Sequence, residues 1–116
     1  MKKAAKKLEN VFRKGLTDIC EHDLKAIDGF QWVTHLVDYD RFPDSLKIVL
    51  IFDTEKQVSA FKRSAEKMRI DDRIEMLMSE HNIKLKSVSQ HVLYDNETDC
   101  ALQHNGDWVK RLALVS

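Results

Sequence analysis

At 116 residues, with 43% apolar and 33% charged side chains, the chain has the make-up of one folded domain and not of a disordered segment. Its 19 basic and 19 acidic residues cancel, which excludes a histone-like coat held to nucleic acid by bulk charge. Three Gly and one Pro leave little for flexible linkers, and the longest apolar run, residues 48–52, is far too short to cross a membrane.

Residues 4–27 read as one amphipathic helix. Leu8, Val11, Phe12, Leu16, Ile19, Cys20, Leu24 and Ile27 recur at steps of three and four, which places them on one stripe. Asp28-Gly29 ends it, Gly supplying left-handed geometry. Charge is sorted along this segment. Lys2, Lys3, Lys6, Lys7, Arg13 and Lys14 stand against Glu9 alone, and then Asp18, Glu21, Asp23 and Asp28 stand against Lys25. The Lys-rich start runs straight into Leu8-Glu9-Asn10 with no apolar stretch behind it, so the chain reads as cytoplasmic.

Residues 30–39 are rich in aromatic and β-branched side chains and read as a strand. Asp40-Arg41-Phe42-Pro43-Asp44-Ser45 is turn chemistry. Residues 46–52 form a second strand, apolar on both faces from Ile48 onward and therefore central. The short loop predicts an antiparallel hairpin. Thr54 and Gln57 have capping-box spacing, opening a helix whose stripe is Val58, Phe61, Ala65 and Met68. Arg69-Ile70-Asp71-Asp72 reads as a break and restart with Asp71 as N-cap. The next helix, with Ile74, Leu77, Met78 and His81 inward, stops at Asn82.

Residues 84–94 read as a third strand interrupted at Leu85 and Val88, and residues 95–104 as a short helix capped by Asp95 or Asn96. After the turn Asn105-Gly106-Asp107 comes a final strand, since Trp108, Lys110, Leu112 and Leu114 alternate with Val109, Arg111 and Ala113. The expected fold is a single α+β domain over residues 1–116, with residues 1–7 as its basic end. It has a small mixed sheet of three to four strands packed with helices, in the order αββααβαβ. The second and third strands, joined through helices, are expected to lie parallel.

Lys2, Lys3, Lys6 and Lys7 share the first two helical turns, with Arg13 and Lys14 farther along, so their cations can meet phosphates or an acidic protein together. No aromatic residue is interleaved to stack on bases, which makes such binding salt-sensitive and sequence-blind. The competing reading is a solubilising helix end. The helix pair 55–68 and 71–82 raises a helix-turn-helix, with Lys62, Arg63, Lys67 and Arg69 for phosphates. Its turn lacks Gly, and Asp71, Asp72, Glu75 and Glu80 would repel the backbone, so a crossover covering the sheet is preferred.

Asp44, Asp53 and Glu55 beside Lys56 suggest a nuclease-type metal site. The spacing fails because Thr54 stands where the second acid belongs, and Asp53 and Glu55 suit a helix start. The pairs Cys20/His22 and Cys100/His104 would bind zinc only if the two segments met; the cysteines otherwise read as small buried apolar residues. Asp95-Asn96-Glu97-Thr98-Asp99 is half a calcium loop without its Gly and distal Glu. His35 and His91 occupy strand positions where apolar residues are expected, and adjacent strands would gather them with Asp38 into a polar patch. No Gly-rich phosphate loop, nucleophile elbow or Ser-His-Asp ordering is present, and no cofactor is expected.

The stretch 28–37, followed by Phe42-Pro43-x-Ser45-Leu46-Lys47 and Val49-x-Ile51-Phe52-Asp53-Thr54, resembles a family of small uncharacterised proteobacterial proteins. Tyr94-Asp95-Asn96-Glu97 and Gly106-Asp107-Trp108 extend the resemblance over most of the chain. Some members are labelled Fis-family transcriptional regulators, although the strand-like middle here differs from the all-helical Fis architecture. The resemblance implies a bacterial cytosolic origin and transfers no catalytic residue.

The resulting expectation is a non-enzymatic cytosolic binding or regulatory module that engages nucleic acid or an acidic protein through its basic first helix. Two alternatives stand beside it. One is a metal-dependent hydrolase or nuclease using Asp44, Asp53 and Glu55; the other is a homodimer built on a sheet edge or on the first helix.

Overall fold

A computed structural model describes residues 3–115. Helix α1 (Lys3–Ile19) buries Ala5, Phe12, Leu16 and Ile19, continues into a single π-helical turn (Cys20–Leu24) and ends before Gly29. Gly29 adopts φ +80°, and a Cβ there would lie 2.2 Å from the Gln57 side chain. Its carbonyl accepts from the Asp53 amide at 2.8 Å, tying the end of the first helical segment to the end of the second strand.

Strand β1 (Phe30–Leu36) pairs antiparallel with β2 (Lys47–Phe52), with a register irregularity between Phe30 and Trp32. Strand β3 (Val92–Asn96) pairs parallel with β2, giving the order β1-β2-β3 and the expected mixed sheet. Between β2 and β3 run α2 (Glu55–Lys62), α3 (Ala65–Glu80) and the single turn α4 (Val88–His91); α5 (Glu97–His104) and α6 (Trp108–Ala113) follow. The α+β class holds, and the described residues form a three-stranded sheet.

Directly paired residues share a face, so register assigns the two sides of the sheet. Val33, Leu50 and Tyr94 align on one side with His35, Ile48 and Val92, and this face packs on Phe12, Leu16, Ile19, Phe61, Ile70 and Ile74. Trp32, Ile51 and Asp95 align on the other side with Thr34, Val49 and Leu93. The capping box at α2 is present in both directions: Thr54 Oγ1 accepts from the Gln57 amide at 3.2 Å, and Gln57 Oε1 accepts from the Thr54 amide at 3.1 Å.

Four expectations are corrected. The interhelical break falls at Ser64, not at residues 69–72: Ser64 Oγ turns back to the Phe61 carbonyl at 2.7 Å, diverting the backbone out of the helix. Asp71 is therefore inside α3, where it accepts from Lys67 Nζ at 2.8 Å. That boundary rotates the helix face, leaving Ala65 exposed, Met68 71% exposed and His81 outside the core. Of the strand expected over residues 84–94, only its end is extended; the broken alternation at Leu85 and Val88 belongs to an irregular segment and α4.

The last segment is helix α6 and not a strand. Asn105 (φ 53°) and Gly106 (φ 77°) close α5 in left-handed geometry, and Asp107 caps α6 by accepting from the Lys110 amide at 3.1 Å. Trp108, Arg111 and Leu112, at helical spacing, are the partly buried residues of α6. Phe12, fully buried and ringed by His35 and Phe42, is the test of the first-face core. Phe12→Ala is expected to cost about 3–5 kcal/mol in urea unfolding. Leu102→Ala, at a position 78% exposed, should stay within about 0.5 kcal/mol of the parent.

Candidate functional site

The solvent face of α1 is built by helical geometry. At 3.6 residues per turn, Lys3, Lys6, Lys7, Arg13 and Lys14 fall within an arc of roughly 120°, opposite the buried stripe, and span about 16 Å of the axis. All five are exposed, and none forms an ion pair among the described residues. Arg13 donates only to the amide oxygen of Asn10, at 2.7 Å. Lys2 lies outside the described residues.

Both acids of α1, Glu9 and Asp18, are engaged by partners outside this arc. Glu9 Oε1 accepts from the Tyr39 hydroxyl at 2.6 Å and from His35 Nε2 at 3.0 Å. The Tyr39 hydrogen bond, with His35 and Arg13 assisting against desolvation, holds the Glu9 carboxyl below its ordinary value of 4.5. Burial and the Glu9 carboxylate together push the Tyr39 phenol well up.

Asp18, near the end of α1, and Asp23, in the π-turn, are paired with α3. Asp18 receives Arg73 at 3.1 Å, and Asp23 receives Arg69 at 3.2 Å and Arg73 at 3.1 Å, joining the end of α1 and its π-turn to α3. The zero net charge thus conceals spatial sorting: a neutralised seam between helices, beside a face of cations with no acidic partner. Lys7 and Lys14 also line an open groove of about 430 Å³ between α1 and α3, with Val11, Gly15 and Leu77, and with Asp18, Arg73, Glu80 and His81. Gly15 permits the close crossing, since a Cβ there would lie 2.5 Å from Leu77 Cδ1.

Other sequence candidates are dispersed. Asp44 precedes β2 whereas Asp53 and Glu55 follow it, so the length of the strand separates them. Among the described residues no group of three His, Cys, Asp or Glu side chains is placed to hold a metal ion. Cys20 and Cys100 are free thiols, and burial pushes both upward.

The proposed polar patch is not assembled, because β2 lies between β1 and β3. His35 turns to Glu9, His91 Nδ1 donates to the Leu46 carbonyl at 2.6 Å, and Asp38 caps the hairpin turn by accepting from the Asp40 amide at 3.0 Å. Nor is the α2–α3 pair a set of free cations: Lys62 lies 5.5 Å from the Tyr94 ring centroid, Lys67 is held by Asp71, and Arg69 by Glu66 and Asp23.

The Glu9–His35–Tyr39 cluster and the α3 side of the groove were missed from sequence. A signal for the first was present: Glu9 sits one turn after Ala5, on the side of α1 that packs inward, where a carboxylate needs a partner. No family model, curated protein or solved structure matches the chain.

Because the folded-state pKa of Glu9 is depressed, its contribution to stability is present above 4.5 and is lost as pH falls through the lower folded value. Glu9→Gln should flatten the acid limb of a stability-versus-pH series below 4.5. In the same variant the Tyr39 phenol should ionise at lower pH in an absorbance titration. An unchanged acid limb would assign the acid sensitivity to other carboxylates.

Proposed function

We propose that the chain is a non-enzymatic binding module that presents the exposed face of α1 to the phosphate backbone of a nucleic acid. The observation that carries this reading is the run of Lys3, Lys6, Lys7, Arg13 and Lys14 on one helical face, exposed and without acidic partners. Multiple cations at helical spacing on a rigid element gain by displacing counterions from a polyanion, whereas isolated surface lysines gain little. No aromatic side chain belongs to the arc, so the reading is of backbone charge and not of base identity.

Fluorescence anisotropy with a labelled mixed-sequence DNA duplex and an RNA hairpin tests this. Affinity should fall with salt, with a log–log slope no steeper than about −4.5 on duplex DNA if the five described cations each neutralise one phosphate. Replacing Lys3, Lys6 and Lys7 together by Glu should abolish binding without lowering the melting temperature, while Arg63→Glu, outside the face, should leave most of it. Retained affinity in the triple variant defeats the reading. Absence of binding at low salt, with capture of an acidic polypeptide instead, would make the partner a protein.

A second reading, self-association, is favoured by β1. It is an edge strand, and its sequence FQWVTHL carries none of the Lys, Asp, Glu or Pro residues that commonly guard an edge. Sedimentation velocity over a concentration series should then show a dimer; a concentration-independent monomer removes this reading.

A further inference from the structure

The two faces of the sheet are covered by unlike means. On the first, a continuous cluster running from Phe12 to Val92 packs apolar side chain against apolar side chain. On the second, Val49, Ile51 and Cys100 are buried yet lie outside that cluster, and no residue of α6 is fully buried.

What holds α6 down is polar and aromatic. Both indoles donate to one carboxylate: Trp32 Nε1 to Glu97 Oε1 at 2.5 Å, and Trp108 Nε1 to Glu97 Oε2 at 3.2 Å. The two rings meet edge to face, with centroids 5.1 Å apart. Arg111 then pins the helix, donating through Nε and Nη2 to the two oxygens of Asp95 at 2.7 and 2.9 Å. Its Nη1 reaches Gln103 Oε1 at 2.8 Å, His104 Nδ1 at 3.2 Å and the Asp99 carbonyl at 3.3 Å. Past α6, the Val115 carbonyl accepts from Lys47 Nζ.

Large apolar side chains stand exposed among the polar ones on and just after the α5–α6 pair: Leu102 is 78%, Val109 84% and Leu114 73% exposed. No residue of α6 is fully buried, so burial of its own side chains contributes less to its docking than in α1 or α3.

We propose that α6 is a releasable strap over the second face of the sheet, clasped by the Trp32–Glu97–Trp108 contact and the Arg111–Asp95 pair. Its detachment leaves the first-face core intact and opens Trp32, Val49, Ile51 and Leu93 to water. The strap opens as a local unit because a helix of six residues, none of them fully buried, depends on the Arg111 pair and the indole clasp to stay docked.

The tryptophans of the chain are Trp32 and Trp108, so tryptophan fluorescence, excited selectively over Tyr39 and Tyr94, reports on this clasp. In hydrogen exchange of the full chain, amides of residues 109–113 should exchange at least about tenfold faster than those of residues 48–52. Arg111→Ala should speed exchange in residues 108–115 by roughly a further tenfold and raise acrylamide quenching of the indoles, with exchange in β2 unchanged. Protection of residues 109–113 equal to that of β2 in the parent protein would overturn the proposal. So would loss of protection in both regions together in Arg111→Ala, which would make α6 part of one cooperative core.

Discussion

Strand β2 carries five consecutive residues, Ile48, Val49, Leu50, Ile51 and Phe52, that are removed from water on both faces of the sheet. A strand of that kind has no solvent side, so each face has to be roofed by other elements. The first roof is α1, α2 and α3, brought together by Phe12, Leu16, Phe61, Ile70 and Ile74. The second is α5 and α6, which arrive late in the chain and are held by the Trp32–Glu97–Trp108 contact and the Arg111–Asp95 pair. The parallel partner β3 follows from the same need, since the crossover through α2, α3 and α4 carries the chain back over the first face before it pairs with β2.

Electrostatics then sorts itself around this frame. Asp18 and Asp23 are drawn to Arg69 and Arg73, where α1 and its π-turn meet α3, and Glu9 turns to His35 and Tyr39 beside the hairpin. Each engagement gives a carboxylate a partner other than the cations of the outer α1 face. The cations there stay unopposed because the acids nearest in sequence serve the packing of helix on helix and helix on strand. A chain of zero net charge thereby acquires a directed basic surface, without any excess of lysine over acid.

Much of this was legible along the chain. The central position of β2 followed from its unbroken apolar run, the hairpin from the short turn at Pro43, and the capping box from Thr54 and Gln57, because each depends on residues close in sequence. The failures share a cause. Met68 looked like core until the helix break moved to Ser64, and a shift of a few residues in a helix start rotates every later side chain. Residues 108–115 alternate convincingly enough for a strand, yet the Asp107 cap and the inward spacing of Trp108, Arg111 and Leu112 make a helix. His35, Asp38 and His91 were grouped on the assumption that their strands adjoin, and the position of β2 between them undid it.

The sequence by itself determined the apolar stripes, the caps, the α+β class and the amphipathic helix bearing Lys3, Lys6, Lys7, Arg13 and Lys14, because these are set by periodicity and by hydrogen bonds within a few residues. Only the tertiary structure decided that Glu9 would meet His35 and Tyr39, that Asp44 and Asp53 would stand at opposite ends of a strand, and that one carboxylate would take both indoles. Those outcomes depend on strand order and on which residues distant in sequence meet, and pairing of that range leaves no local periodicity to read.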